Sequence, residues 1–196
     1  MKTSKTIMIV LAGLILASCS SKDDEMQKES VRRNVSQYGA VRGSDGEYVL
    51  AEGFQPMSTE EFSEILVGQP WEMTDWRRIN EDGSIDEKTY WKSMMGATPV
   101  HLLFSNETLY FKSLVIHPSG GYQESSRSYT YDESTGKVIP EYNYPVLTIL
   151  SYDAEKEEAV MIFHLGDTQF SLLTYHRMPM EWWDEMVVGP VYPVKE

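Results

Sequence analysis

Cysteine, histidine, nucleophilic serine and paired carboxylates are the places where chemistry would begin, and in this chain they are few or badly spaced. The four histidines are His101, His117, His164 and His176, and Cys19 is the one cysteine. Protein zinc sites draw Cys and His ligands at short local spacings, and no two of these histidines lie close enough to form such a pair. Each histidine therefore reads as a half-buried strand or turn residue. Gly-x-Ser-x-Gly is absent, and Ser119 between Pro118 and Gly120-Gly121 reads as a hairpin turn and not as a nucleophile elbow. Glycoside hydrolysis needs two carboxyl groups facing each other across a cleft. With 30 acids in the chain some pair falls at any chosen spacing, and most sit in turns such as Glu81-Asp82, Asp132-Glu133 and the 155–158 run. No enzyme activity, cofactor or metal is expected. Aromatic residues are the richer class, with five Trp, twelve Tyr and six Phe. Tyr122, Tyr129, Tyr131, Tyr142, Tyr144 and Tyr152 gather mid-chain, where exposed rings would stack on sugars and buried ones would simply serve strands.

The lone cysteine has a distinctive setting. Lys2 and Lys5 open the chain, residues 7–17 form an apolar run without a charge, and Leu16-Ala17-Ser18-Cys19 closes it. The run is shorter than the ~20 residues of a spanning helix and matches a signal peptide covering residues 1–18. Leu16-Ala17-Ser18-Cys19 resembles the lipobox of bacterial lipoproteins. The resemblance implies cleavage between Ser18 and Cys19, a diacylglycerol thioether on Cys19, and a further acyl chain on the freed amine. It also removes the only thiol from catalysis. Two or three chains at ~0.8 kcal/mol per buried methylene anchor a protein stably where one does not. Ser20-Ser21-Lys22-Asp23-Asp24-Glu25 resembles the export signal of Bacteroidota surface lipoproteins. It implies an outer-membrane protein on the cell surface, with the periplasmic face as the alternative.

Cleavage leaves 178 of the 196 residues and moves the formal charge from −13 to −15, since Lys2 and Lys5 depart and no acid does. That is enough chain for one domain and a tether. Such negative charge excludes nucleic acid, whose binding needs basic patches. It also disfavours docking on anionic lipid, so the membrane contact is expected through the lipid anchor only. The sequence leaves the oligomeric state open.

The elements follow from periodicity. Residues 19–56 are polar, with Gly39, Gly43, Gly46 and Gly53 scattered among them, and read as a tether in which 47–50 adds at most a short edge strand. The domain is placed at 57–196. Ser58 with Glu61 forms a capping box, Met57 can staple onto Phe62, and Phe62, Ile65 and Leu66 share one face of a short helix that ends before Gly68 and Pro70. Branched and aromatic runs then recur at 71–79, 87–94, 100–104, 108–117, 122–131, 145–152, 159–165 and 169–178, with a shorter run at 137–139. Turn clusters separate them. Eight or nine strands with short links imply an antiparallel up-and-down barrel or a sandwich, and the barrel removes exposed edges. One or two helical turns at 180–186 carry Trp182 and Trp183.

A short helix followed by glycine, tryptophan and a series of antiparallel strands resembles the lipocalin, or calycin, arrangement over about 58–185. The chain reads Gly68-Gln69-Pro70-Trp71, one residue longer than the Gly-x-Trp of lipocalins, and Thr74-Asp75-Trp76 echoes a second lipocalin motif in a different strand. In that family an arginine ending the last strand packs over the opening tryptophan. Here the resemblance assigns that structural closing pair to Arg177 and Trp71. It implies an all-β barrel holding one small hydrophobic or amphiphilic molecule, with Leu109, Phe111, Met161, Phe163, Phe170 and Leu172 as candidate lining residues. The alternative is a surface accessory protein binding glycan or another envelope protein through its outer face.

Overall fold

The computed structural model describes residues 33–90, 100–114, 122–142, 145–165, 169–186 and 188. Ser18, Cys19 and residues 20–32 lie outside them, as do His117, Tyr144, the 119–121 turn and the 91–94 end of the second strand run.

The strand runs become β3 (Pro70–Ile79), β4 (Ile85–Tyr90), β5 (Val100–Phe104), β6 (Thr108–Leu114), β7 (Tyr122–Asp132), β8 (Lys137–Pro140), β9 (Val146–Asp153), β10 (Glu158–Leu165) and β11 (Gln169–Arg177). Before them come β1 (Ala40–Arg42), β2 (Tyr48–Leu50) and helix α1 (Thr59–Ile65), and after them helix α2 (Met180–Glu185). From β5 to β11 every strand pairs antiparallel with its neighbour in sequence, and β11 returns to pair with β3. Both β4 and β5 lie on the other edge of β3. β4 sits at its far end through Arg77↔Tyr90 and Ile79↔Ile85, and β5 at its start through Pro70↔Leu103 to Glu72↔His101. The two run end to end in one direction and together occupy one position. The result is a closed, antiparallel, up-and-down barrel of eight strand positions, lipocalin-like in plan.

One end of the barrel is sealed from inside. The Ser58–Glu61 capping box forms reciprocally, and Phe62 and Leu66 reach under the strands. Phe62 stacks on Tyr131 with ring centroids 4.2 Å apart and meets Phe104 edge-on at 5.5 Å. Above them Trp71, Met73, Leu102, Phe104, Leu109, Phe111, Leu147, Met161, Leu173 and Tyr175 form a dry layer. Burial pushes the pKa of the Tyr129 hydroxyl beside this layer up to about 12.

The N-terminal segment corrects the expected domain boundary. Residues 33–50 are folded, not tether: a 3-10 turn (Val35–Tyr38) leads into the β1–β2 hairpin, a separate two-stranded sheet and not an edge of the barrel. Val35, Ala40 and Tyr48 pack on Ile79, Ile85, Leu150, Ile162, Phe170 and Leu172, forming a second core on the outer face of the barrel. The segment reads as polar because only every few residues touch this face. The turn is fixed by Gly39 at φ 74°, where a Cβ would lie 2.3 Å from the Phe54 ring.

The same finding corrects two candidate lining residues. Phe170 and Leu172 point outward into this second core, while Leu173 and Tyr175 point inward. Both faces of β11 are covered, so the run Phe170-Ser171-Leu172-Leu173 shows no alternation from which its inner face could be read. Pairing settles it: Leu172 faces Ile162 across the ladder, and Leu173 faces Met161.

Candidate functional site

The barrel interior changes character along its axis. At the helix end, Arg177 and Trp71 are paired directly across β11 and β3, and the guanidinium carbon lies 5.5 Å from the indole centroid. Trp71 has no exposed surface and donates its indole N–H to the Leu66 carbonyl at 3.3 Å. Arg177 donates through Nη2 to the Ile65 carbonyl at 3.2 Å and through Nη1 to Glu157 at 3.3 Å, while its Nε is buried without a partner. The Ile65 carbonyl belongs to the last turn of α1, where helical carbonyls lack intrahelical partners and favour a cation. This arginine therefore fastens the plug helix and the closing strands together.

Further up, the inward side chains still pack against this layer but are no longer fully buried. Leu109, Phe111 and Met161 belong to the dry layer and are at most 3% exposed. Phe163, one inward step beyond Met161 on β10, is only half-buried. Trp76, on β3 beside Leu173, is half-buried too. Simple alternation would put Trp76 on the opposite face from Trp71 and Met73. A β-bulge prevents that, because Thr174 pairs with Asp75 and Tyr175 with Met73, leaving Thr74 as the extra residue. The bulge re-aims Trp76 inward, and it is the residue that sequence periodicity missed. Thr74-Asp75-Trp76 was the visible signal, but nothing in the sequence marks the bulge.

Polar groups join these two rings on the inner face. Ser171 pairs with both Phe163 and Arg78, and Ser125 pairs with the inward Phe111. Val100 pairs with Ser113, and Ser113 with Gln123. Arg78 is exposed and has no hydrogen-bond or ion-pair partner among the described residues. The inner surface thus grades from a solid apolar floor, through half-buried Trp76, Phe163 and Val100, to a rim of hydroxyl, amide and guanidinium groups. A molecule with an apolar body and a polar or anionic head fits that grading.

Two histidines are tied into the outer face. His164 is buried, with Nδ1 2.7 Å from a Glu47 carboxylate oxygen and Nε2 2.9 Å from Thr148 Oγ1. Hydroxyl, imidazole and carboxylate stand in the order of a hydrolytic triad, but Thr148 has no exposed surface, so no substrate reaches it. The trio instead clasps the N-terminal hairpin to the barrel. Burial holds the His164 pKa below the usual imidazole range, against the opposing pull of Glu47. His101 is likewise buried and lowered by burial, whereas His176 is exposed. No three His, Cys, Asp or Glu among the described residues are placed to hold a metal ion. Set against known proteins, the chain matches no protein-family model and has no significant likeness to any curated protein.

Proposed function

We propose that this protein is a lipid-anchored bacterial lipoprotein whose barrel binds one small amphiphilic molecule at the end opposite α1. The observation that carries the reading is the pair Trp76 and Phe163, large apolar side chains on the inner face that are left half-buried above a floor of fully buried side chains. Natural cores pack to near-crystal density, so inward aromatics without full contact mark a surface reserved for something else. Arg78 at the rim suits an anionic head group. Anchoring rests on Leu16-Ala17-Ser18-Cys19, with residues 19–32 left as the tether and the acidic stretch after Lys22 as the surface address. Titration with an environment-sensitive fluorescent fatty acid tests binding. Saturable enhancement that weakens in Phe163→Ala and Arg78→Ala supports the reading, and equal binding by both variants counts against it. Labelled fatty acid incorporated equally into Cys19→Ala would count against the anchor.

A second reading, glycan capture by the outer face, has one observation in its favour. Tyr142 is 87% exposed and held at φ 61°, a conformation costly for a non-glycine residue, beside a recess of about 490 Å³ lined by Thr108, Ser126, Arg127, Ser128 and Glu141. An exposed ring next to hydroxyls and charged planar groups is suited to a sugar. Loss of glycan retention in Tyr142→Ala would favour it.

A further inference from the structure

A second recess lies on the outer face of the barrel, between α2 and the start of β3, far in chemistry from the interior just described. It measures about 340 Å³ and is lined by Glu72, His101, Tyr122, Met178, Trp182 and Glu185, with Met186 at its edge. The fold builds this recess deliberately. α2 is seated by Trp183, which is 5% exposed, and by Lys112, which is buried under it. Lys112 donates Nζ to the Trp183 carbonyl at 2.8 Å, sits 4.5 Å from the Trp183 ring centroid and lies 3.7 Å from Glu124. That positive charge is spent on the helix. The next side chain, Trp182, is swung out and left 57% exposed, a large area for a tryptophan.

Three polar groups of the recess are acceptors: His101, Glu72 and Glu185. His101 is 6% exposed, and its Nδ1 lies 3.3 Å from the Lys112 carbonyl oxygen. A carbonyl only accepts, so Nδ1 carries the proton and Nε2 keeps its lone pair. Nε2 has no partner among the described residues. Burial keeps this imidazole neutral near neutral pH. Glu72 sits between His101 and His176 in the sheet register, and neither its carboxylate nor that of Glu185 has a hydrogen-bond or ion-pair partner among the described residues. Tyr122 meets His101 edge-on at 5.9 Å and, with Trp182, supplies aromatic wall.

We infer that this recess binds a protonated primary amine, its ammonium donating to His101 Nε2 and to the carboxylate of Glu72, cross-strand neighbours on one face of the sheet, while Glu185 on the α2 wall adds negative charge and the carbon body lies against Trp182 and Tyr122. Two uncompensated carboxylates reject anions, the lone pair on Nε2 rewards an N–H donor over a quaternary ammonium, and aromatic walls add cation–π attraction. A divalent metal is disfavoured because no three candidate ligands converge among the described residues.

The probe is 2-phenylethylammonium, titrated into the full chain in a non-ionic detergent, with Trp182 followed through its indole N–H resonance. Saturable binding at a dissociation constant below about 1 mM is expected, and 2-phenylethanol, with the same ring and no charge, should bind at least about tenfold more weakly. Glu72→Gln with Glu185→Gln should weaken the amine by about tenfold or more. These carboxylates are not part of the core, so the fold is kept, and an unchanged melting temperature checks that. Trp182→Ala should weaken the amine and the alcohol alike. No saturation at concentrations about tenfold above that constant, equal affinity for amine and alcohol, or an unaffected double variant would each overturn the inference.

Discussion

Arg177→Ala should loosen the closed end of the barrel by an amount that can be worked out contact by contact. The guanidinium lies 5.5 Å from the Trp71 ring centroid. Cation–π attraction at a partly desolvated site is about 1 kcal/mol. The charged hydrogen bond to the Ile65 carbonyl adds about 1.5 kcal/mol, the lower part of its range because the side chain keeps 28% of its surface in solvent. Glu157 is 49% exposed, so its ion pair contributes less than about 0.5 kcal/mol. Against these stands the buried, unpartnered Nε, whose removal relieves about 1 kcal/mol. The net loss is about 2 kcal/mol, equivalent to a fall in melting temperature of about 4–8 °C for a domain of this size. Arg177→Lys keeps the charge and the stem but loses the flat face and the fork, so it should recover about half the loss. Circular dichroism melts of the full chain and both variants measure this. A melting temperature within about 1 °C of the native value for Arg177→Ala, or a lysine variant no better than alanine, would refute the contact reasoning.

Three further outcomes follow from the same structure. Leu172→Ala should cost about 2–5 kcal/mol, because it opens a cavity in the outer core, and should leave fatty-acid binding unchanged; denaturant melts beside probe titration measure both. The His164 pKa is lowered in the folded protein, so the unfolded chain binds the extra proton first. Stability should therefore be full above the ordinary imidazole range near pH ~6.5 and fall as pH drops below it, and His164→Asn should flatten that slope in melts from about pH 5 to 8. Ser58→Ala removes the N-cap acceptor and the donor to Glu61, and should lower stability by about 1 kcal/mol in the same melts.

Most of the fold was legible because local rules and tertiary structure agree. Strand runs bounded by Asp82-Gly83, Ser105-Asn106 and Thr135-Gly136 leave little freedom in pairing once neighbours must be antiparallel. The Ser58–Glu61 box marks α1 to the residue. Two of the errors, the outward Phe170 and Leu172 and the folded N-terminal segment, share one cause, which is a barrel face covered twice. A reader of Phe170-Ser171-Leu172-Leu173 sees only hydrophobicity, and which face is inner depends on Val35, Ala40 and Tyr48, more than a hundred residues away. The same three residues hide within a polar stretch, so their segment reads as tether. Trp76 was obscured by a single inserted residue, Thr74, which inverts parity for everything after it. The amine recess on the outer face is assembled from β3, β5, β7 and α2, and no local spacing announces it.

Photo-cross-linking tests the central claim most directly. The full chain is irradiated with a fatty acid bearing a diazirine near its methyl end, and the modified peptides are mapped by mass spectrometry. Labelling is expected on the stretches around Trp76 and Phe163, to be competed away by unlabelled fatty acid and lost when Phe163→Trp fills the space. Labelling confined to Tyr142 or Trp182 on the outer face, or labelling that excess unlabelled fatty acid does not displace, would contradict a ligand held within the barrel.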